Sequence, residues 1–283
     1  GSHGLMKAPV NKIIDLSTVD GPGLRTSIFF QKCNIACLYC HNPETQNICC
    51  HCGLCVSSCP GGALSLEDGK VTYRKEKCVN CDTCIALCPH HASPKIEYLS
   101  PEEVYQRIQN NFGFIRGITV SGGECSLYPE FLTELFKLVK KNHLSCLMDS
   151  NGMVDLSFYP DLLQVTDGVM LDIKSWDQKI YHNLTGADNT TVKKNLVLLD
   201  SLSKIEELRI VCVPGLVDVK ACLSGIVETI EKEHVSKTKI KLIKFRKNGV
   251  RGVLKDQESP SDEEMESYRQ YAYSLGFTEI VIR

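Results

Sequence analysis

The stretch CNIACLYC, residues 33–40, places Cys33, Cys37 and Cys40 in a C-x3-C-x2-C spacing. Thiolates at such spacings hold iron–sulfur clusters. A four-iron cluster has four irons to ligate, so three cysteines leave one iron open, as in a catalytic metal site. A structural zinc site is disfavoured because no fourth cysteine lies nearby. We predict a cluster built for chemistry, and we expect His41 to hydrogen-bond near a cluster sulfur rather than to ligate iron.

Two further runs share the spacing C-x2-C-x2-C-x3-C followed by proline, the pattern of bacterial two-cluster ferredoxins. The first run is Cys49, Cys52, Cys55 and Cys59, and the second is Cys78, Cys81, Cys84 and Cys88. In such ferredoxins the fourth cysteine of each run serves the other cluster. The spacing therefore predicts that Cys59 and Cys88 exchange partners between the two sets. Both sets are closed, so both are predicted to carry electrons.

The composition limits the classes of protein to which this chain can belong. The 283 residues are 43% hydrophobic and 23% charged, which suffices for one large α/β domain and a small module. A formal net charge of −2 argues against a nucleic-acid partner. No apolar run approaches the ~20 residues of a membrane helix, and no export signal accompanies the cysteines. We expect a cytoplasmic protein that needs low-oxygen handling, and we expect residues 1–5 to be a vector remnant.

The hydrophobic pattern breaks between residues 44 and 96. This segment is dense in cysteine, has few long aliphatic side chains and is too short to bury a core without metal. The sequence therefore predicts two domains. One is a barrel formed by residues 6–43 and 97–283, and the other is an inserted ferredoxin-like domain with two [4Fe-4S] clusters, residues 44–96.

Strand and helix patterns alternate outside the insert. Predicted strands cover 26–32, 117–120, 145–148, 168–171, 208–213, 239–244 and 278–282. Predicted helices cover 129–141, 188–202 and 219–232, and capping boxes at Ser100 and Ser261 begin two more. This alternation implies a parallel sheet with right-handed crossovers. Six or so units are too few for an eight-stranded barrel, so we predict an α/β fold, a partial (β/α)6 TIM-like barrel.

Polar motifs collect where the predicted strands end. The run 33–40 follows the first strand, SGGE at 121–124 the second, DSNG at 149–152 the third, DIK at 172–174 the fourth, and Arg246 the sixth. Barrel folds build active sites at the carboxyl ends of their strands. The sequence therefore predicts that these motifs form one site.

The cysteine run, with Tyr39 before its last cysteine, resembles the radical S-adenosylmethionine (SAM) superfamily, and SGGE resembles that family's second signature. The resemblance implies that the open iron binds the amino and carboxylate groups of SAM. We expect Gly122 and Gly123 to let the backbone approach a ligand closely. We expect Glu124 to accept a hydrogen bond from the cationic amine. Tyr39 either covers the bound purine or packs its own loop.

Other motifs resemble the activating enzymes of glycyl radical enzymes, the pyruvate formate-lyase activase family. They are DGPGLR at 20–25, CHNP at 40–43, DSNG at 149–152, MLDIK at 170–174 and VPG at 213–215. The two ferredoxin runs, CDTC at 81–84 and the tripeptide Ala-Ser-Pro at 92–94 are most like YjjW-type activases.

This narrower resemblance implies roles for individual side chains. Residues that help to hold the cofactor are Asp149, Asp172, Lys174 and Arg209. Asp149 and Asp172, with the carbonyl of Met170, also cage a monovalent cation, and Asp20 meets the glycine loop of the partner protein. Two simpler interpretations stay open, a helix N-cap for Asp149 and a solvated charge at a strand end for Lys174.

The chain departs from that family at two positions. Arg246 stands where the pyruvate formate-lyase activase has a histidine that contacts the cofactor, although a guanidinium can stack on a purine. Cys125 follows Glu124 where the family has proline or a small residue. Five cysteines fit no ligand spacing, and we predict that they are buried free thiols. They are Cys50, Cys125, Cys146, Cys212 and Cys222.

We therefore expect an oxidoreductase that cleaves SAM and removes a hydrogen from a glycine of a partner glycyl radical enzyme. Its predicted cofactors are three [4Fe-4S] clusters, SAM and a monovalent cation. A flavodoxin- or ferredoxin-type protein is the expected reductant, and neither nucleic acid nor membrane is an expected partner. Two alternatives stay open, a radical enzyme acting on a small molecule or peptide and a plain iron–sulfur electron carrier.

Overall fold

The computed structural model describes residues 6–283, so the vector remnant predicted at residues 1–5 lies outside the described residues. The strands are β1 (Ala8–Ser17), β2 (Arg25–Phe30), β3 (Leu64–Glu67), β4 (Lys70–Tyr73), β5 (Glu97–Leu99), β6 (Gly117–Gly122), β7 (Ser145–Ser150), β8 (Gly168–Asp172), β9 (Ile205–Cys212), β10 (Lys239–Lys244) and β11 (Glu279–Ile282). Nine of them form one sheet in the order β11-β10-β9-β8-β7-β6-β2-β1-β5, and β3 and β4 form a separate hairpin.

The helices lie mainly between the strands of the large sheet. They are α1 (Thr83–Leu87), α2 (Pro101–Ile108), α3 (Pro129–Lys140), α4 (Pro160–Val165), α5 (Gln178–Thr185), α6 (Thr190–Ser201), α7 (Val219–Thr229) and α8 (Asp262–Ser274). Strands β2 and β6 to β11 pair in parallel, and at least one helix lies between each consecutive two of them. These crossovers make six β/α units. Because β5 and β11 stand at opposite ends of the strand order, the sheet stays open. The predicted partial barrel is confirmed.

Strand β1 was not predicted from the sequence. It pairs antiparallel with β2 on one side and with β5 on the other, and its register shifts twice along β2. Each shift breaks the period of two on which a strand prediction rests. The loop that follows β1 carries the DGPGLR motif, and its Arg25 is fully buried. The Arg25 guanidinium donates to Thr119 Oγ1 at 2.9 Å and to the carbonyl of Ile118 at 2.8 Å, so this loop is anchored on β6.

The core lies where the helices pack on the sheet. Helix α3 begins at a proline, where the missing N–H costs nothing, and it buries Leu132, Leu135, Phe136 and Val139 on one face. Helix α2 begins with the predicted capping box, in which Ser100 and Glu103 each accept from the other's backbone amide at 3.1 Å. No helix within residues 6–283 combines the length and the apolar character that crossing a membrane requires.

The segment 44–96 contains one hairpin, one short helix and several short 3-10 turns. Its two ends lie beside each other, because Asn47 and Ala92 form an isolated parallel bridge. Its first residues run beside the end of β2, since the amides of Lys32 and Cys33 donate to the carbonyls of Thr45 and Gln46 at 2.8 and 2.9 Å. The insert is therefore joined to the barrel at the start of the cysteine run.

A buried glutamine fixes this junction. Gln31 is fully buried, and its amide nitrogen donates to the carbonyls of Glu44 at 2.6 Å and Asn47 at 2.8 Å. Its amide oxygen accepts from Asn11 of β1 at 2.8 Å. One side chain thus connects both β1 and β2 with the first turn of the insert. All three of its hydrogen bonds would be lost in an apolar residue of similar size.

We predict that Gln31→Leu destabilises the protein by about 1–3 kcal/mol, because buried polar groups without a partner cost that much. The measurement is the midpoint of urea-induced unfolding, followed by circular dichroism under anaerobic conditions. Gln270→Leu is the matched control, since Gln270 is exposed on α8 and its substitution should change stability by no more than about 0.5 kcal/mol. Equal midpoints for the two variants would contradict the proposed clamp.

Candidate active site

Four of the five motifs predicted to form one site lie together at the carboxyl edge of the parallel strands, and Arg246 is the exception. The cysteine run follows β2, SGGE ends β6, DSNG ends β7 and DIK ends β8. Asn151 connects two of them, because its side-chain nitrogen lies 3.7 Å from Cys33 Sγ and donates to Asn34 Oδ1 at 2.9 Å. Arg209, on β9, donates to Asp149 Oδ2 at 2.8 Å. Residues more than 170 positions apart therefore share one region of the fold.

The three cysteines of the first run lie close to one another in a partly buried loop. Burial raises the pKa of the Cys33 thiol to about 12, and the thiolate of Cys37 contributes to this rise. Burial likewise raises the pKa of Cys37, which Lys174 lowers and Cys40 raises. The amide of Cys40 donates to the carbonyl of Cys37 at 3.2 Å, which closes a tight turn between them. Three neighbouring thiols are a donor set that suits iron.

Tyr39 is buried against this loop. Only 5% of its surface is exposed, and the Lys174 ammonium lies 5.3 Å from its ring centroid, a cation–π distance. Its hydroxyl is buried and has no hydrogen-bond partner among the described residues. The ring therefore packs in its loop, as one of the two sequence interpretations expected. The second interpretation, in which the ring covers a bound purine, stays a prediction. A ligand that hydrogen-bonds to the buried hydroxyl would remove the cost of an unpaired polar group.

Glu124 connects the ends of β6 and β7 through hydrogen bonds. Its carboxylate accepts from the amide and hydroxyl of Ser126, from Ser150 Oγ at 2.7 Å and from the amide of Asn151 at 2.8 Å. It is 2% exposed, and burial raises its pKa although these donors oppose the rise. Every carboxylate oxygen already has a donor from the protein. The amine contact predicted for Glu124 stays a prediction, and its visible contacts make it a positioning residue.

The glycines of SGGE are required for a reason that the sequence did not indicate. A Cβ on Gly122 would lie 2.2 Å from the carbonyl oxygen of Phe30, and one on Gly123 would lie 2.3 Å from that of Lys32. We expected these glycines to admit a ligand, but the close approach is to the backbone of the chain that enters the cysteine run. The amides of Gly123 and Glu124 use this proximity to donate to Phe30 and Lys32 at 2.9 and 2.8 Å.

A network of charges lies beside the cysteine loop. Arg209 joins Asp149 to Glu207, whose Oε2 accepts from Arg209 Nε at 2.5 Å. Burial raises the pKa of Asp149 to about 6, which Arg209 opposes and Asp172 reinforces. Lys174 Nζ lies 3.4 Å from Asp172 Oδ2. Arg209 thus already supplies a positive charge at the carboxylate predicted to hold a monovalent cation, and the cation stays a prediction.

The expected roles of His41 and Arg246 stay predictions. The contacts of His41 lie on another loop: its Nδ1 lies 2.8 Å from the carbonyl of Asn248, and its ring is 6.1 Å from that of Phe245. The partner is 207 residues away in sequence, so spacing could not have indicated it. Arg246 is exposed, and its side chain forms no hydrogen bond with any of residues 6–283. Its stacking on a purine stays a prediction.

Asp20 lies between β1 and β2 and is partly exposed. Its Oδ2 accepts from Ser17 Oγ at 2.5 Å and from Ser27 Oγ at 2.8 Å, and its carbonyl accepts from Thr119 at 2.6 Å. Its negative charge acts on the network of Arg209, Asp149 and Asp172, because it helps to raise the pKa of Asp149. The structure therefore places Asp20 near the site and holds its carboxylate in a fixed position.

A match to a protein-family model decides to which superfamily the chain belongs. The model described as "Radical SAM superfamily" matches residues 27–220.

The chain belongs to the radical SAM superfamily.

Similar curated proteins indicate a subgroup within this superfamily. The choline trimethylamine-lyase activating enzyme of Oleidesulfovibrio alaskensis is 29% identical over 264 residues, 86% of this chain and 85% of the relative. The (2S)-3-sulfopropanediol dehydratase activating enzyme of Klebsiella oxytoca is 30% identical over 251 residues, 81% and 79% of the two chains. The pyruvate formate-lyase-activating enzyme of Staphylococcus epidermidis is 29% identical and covers 94% and 95%. The predicted membership of the glycyl radical enzyme activating enzymes is confirmed, and the closer resemblance to YjjW-type activases stays a prediction.

The fold has a counterpart among solved structures. Streptococcus suis SuiB bound to S-adenosylmethionine superposes with a TM-score of 0.55 at 9% identity, over 89% of this chain and 48% of SuiB. At that identity the likeness concerns the fold alone. Membership of the radical SAM superfamily implies a [4Fe-4S] cluster and SAM, and three neighbouring thiols with an unpartnered Tyr39 hydroxyl fit both groups.

The cysteines of the insert group in two places. A small cavity is lined by Cys59, Cys78, Cys81 and Cys84, together with Tyr73 and Lys95. Elsewhere, burial raises the pKa of the Cys55 thiol, and Cys49, Cys52 and Cys88 raise it further. The exchange of fourth cysteines that the ferredoxin spacing predicts stays a prediction.

Of the five remaining cysteines, four are buried and one is exposed. Cys125, Cys146, Cys212 and Cys222 are buried free thiols, as predicted. Cys50 is exposed, which corrects its prediction; the insert is too small to have much interior. Sequence reasoning also missed Glu207 as the second partner of Arg209. Their spacing of two on one strand, which places both side chains on the same face, could have indicated it.

We predict that Gly123→Ala lowers both the stability of the radical SAM protein and the iron bound by its first cysteine run. The new methyl group would press on the carbonyl oxygens of Lys32 and Thr45, which are backbone atoms that cannot rotate away. The measurements are thermal unfolding and iron content after anaerobic reconstitution. Gly113→Ala is the control, because a Cβ there meets nothing within 4 Å. Unchanged iron and stability in Gly123→Ala would refute the crowding argument.

Proposed function

We propose that this radical SAM protein cleaves S-adenosylmethionine reductively and removes a hydrogen atom from a glycine of a partner glycyl radical enzyme. The observation that carries the proposal is the meeting of the three-cysteine loop with SGGE, DSNG and Arg209 at one edge of the barrel. The similarity to activating enzymes over most of the chain supports the protein substrate. A stable glycyl radical on the partner would be the product.

Cys33, Cys37 and Cys40 would hold the active [4Fe-4S] cluster, which in its reduced form supplies the electron that breaks a carbon–sulfur bond of SAM. The protein residues bind and orient the cofactor and keep water away. Lys174 and Tyr39 are buried beside the cysteine loop, so charge and ring are held without solvent between them. A low local dielectric makes their interactions with a charged cofactor stronger than they would be in water.

The remaining cofactor contacts follow from the charge network. Arg209 and Lys174 are the cations available to a carboxylate of SAM, and Asp149 and Asp172 are the anions available to its amine or to a monovalent cation. Gly122, Gly123 and Glu124 would support these contacts by fixing the loop. Their packing on β2 and on DSNG gives that loop a single position.

We further propose that residues 44–96 act as a unit that holds two auxiliary [4Fe-4S] clusters. Cys59, Cys78, Cys81 and Cys84 would hold one, which is supported by their common cavity. Cys49, Cys52, Cys55 and Cys88 would hold the other, which is supported by their mutual effect on the pKa of Cys55. Neither set leaves an iron open for SAM. Their proposed role is electron delivery from a cytoplasmic flavodoxin- or ferredoxin-type protein.

Asp20 is the proposed contact for the partner's glycine loop. Two serine hydroxyls hold one oxygen of its carboxylate, and the other oxygen has no hydrogen bond within the described chain. A fixed acceptor of this kind suits a backbone N–H or a basic side chain beside the target glycine. Glycine suits hydrogen abstraction because no side chain covers its α-carbon.

We predict that Cys37→Ala abolishes SAM cleavage, whereas Cys81→Ser leaves dithionite-driven cleavage measurable. Cys37 belongs to the set with an open iron, and Cys81 belongs to a closed set. Formation of 5′-deoxyadenosine from SAM under anaerobic conditions is the measurement, and the iron content of each variant is the control for cluster loss. Equal loss of cleavage in both variants, with the first cluster intact, would refute this division of roles.

We predict that Asp20→Ala weakens activation of the partner enzyme and spares uncoupled SAM cleavage. Asp20→Asn should behave in the same way, because it keeps an oxygen for Ser17 and Ser27 but removes the charge. Asp161→Ala is the control, since Asp161 is exposed at the start of α4. The glycyl radical on the partner is measured by electron paramagnetic resonance. Normal activation by both Asp20 variants would remove its docking role, and no glycine-centred signal with any cognate partner would refute the function.

A further inference from the structure

Three exposed side chains of the insert lie close enough together to hold a metal ion, and the ferredoxin spacing does not require this arrangement. A ligand atom from each of Cys50, Cys52 and His90 lies within 4.8 Å of the other two. Cys52 is an expected cluster ligand, whereas Cys50 and His90 are not. Thiolate and imidazole are both ligands of iron in proteins. The first set of the insert thus has two further donors beside one of its four cysteines.

The two cysteine runs of the insert are internal repeats, so they can be compared position by position. The residue after the first cysteine is Cys50 in one run and Val79 in the other. The second residue after the last cysteine is Gly61 in the first run and His90 in the second. With the fourth cysteines exchanged as proposed, Cys88 brings His90 to the set that already has Cys50. Both additional donors therefore lie at one set, and neither repeat partner offers a donor to the other set.

We propose that Cys50 is a reserve ligand for the iron bound by Cys52, with His90 as a further donor beside it. This inference rests on the proposed two-cluster insert. In the exchange the iron–sulfur bond to Cys52 breaks, a bond to Cys50 forms, and the thiol proton of Cys50 passes to the departing Cys52 thiolate. No electron is transferred, so no oxidant or reductant is required.

Because these side chains are exposed, the exchange of Cys52 for Cys50 would protect the cluster against chemical modification of Cys52. Cys52 is exposed, so oxidants and alkylating agents in solution reach its thiol when the cluster opens. A second thiolate within 4.8 Å keeps the iron bound after Cys52 is lost. Cys81, the repeat counterpart of Cys52, is also exposed but has Val79 in place of the reserve cysteine. The two auxiliary sets therefore differ in their tolerance of losing one ligand.

The test compares single and double variants of the full chain after anaerobic reconstitution. Cys52→Ala should keep three clusters, about 12 irons, with altered resonance parameters for one of them. The double variant Cys50→Ala and Cys52→Ala should lose one cluster, about four irons. Cys81→Ala should lose one cluster by itself, and adding Val79→Cys should restore it. Iron and sulfide content and electron paramagnetic resonance of the reduced protein are the measurements.

The outcomes separate this inference from the proposed function. Three clusters in the wild type with two in Cys52→Ala would overturn the reserve ligand and leave the two-cluster insert standing. Three clusters in the double variant would also overturn it, because something other than Cys50 would hold the iron. A wild type with one cluster would overturn the insert's proposed role and this inference together.

Discussion

The backbone at Lys32 is the constraint on which the rest of the site depends. Lys32 has a φ of 83°, which is unusual for a residue with a side chain. In this conformation its amide donates to Thr45 at the start of the insert, and its carbonyl accepts from Glu124 at the end of β6. One residue thus joins the cysteine loop, the insert and the second signature. The glycines beside Glu124 are needed because any side chain there would push these three segments apart.

Most of the fold could be predicted from sequence because its strands are short apolar runs between polar turns. The predicted strand at 168–171 matches β8 within one residue, and the helix at 129–141 matches α3 equally well. β1 was missed because its bulges break the alternation of buried and exposed side chains. α5 was missed because it spans only eight residues, although Asp177 before it is a recognisable N-cap whose side chain accepts from the amides of Lys179 and Ile180. Local pattern thus predicts elements where the local period is regular.

The site was predictable to the extent that its chemistry is encoded locally. Cysteine spacing is local in this sense, since neighbouring ligands in a run are only a few residues apart, and the cluster sets that it gives stay predictions. The contacts of His41 with Asn248 and of Gly123 with Lys32 gave no sequence signal, because these partners reach them only through the tertiary fold. Cys50 was placed in an interior that a segment of this size does not have. The clamp by Gln31 gave no sequence signal, since a buried glutamine cannot be told from an exposed one before its partners are known.

The bridge between Asn47 and Ala92 has a consequence for how such a chain could arise. An insertion whose two ends already meet leaves the distance between the flanking segments unchanged. The barrel can therefore accept it in a surface loop without a change in its strands or helices. Domain insertions are tolerated best at such points. The segment between them therefore has the properties of a cassette. It could be gained or lost as one genetic event, while the barrel and its three-cysteine loop stay as they are.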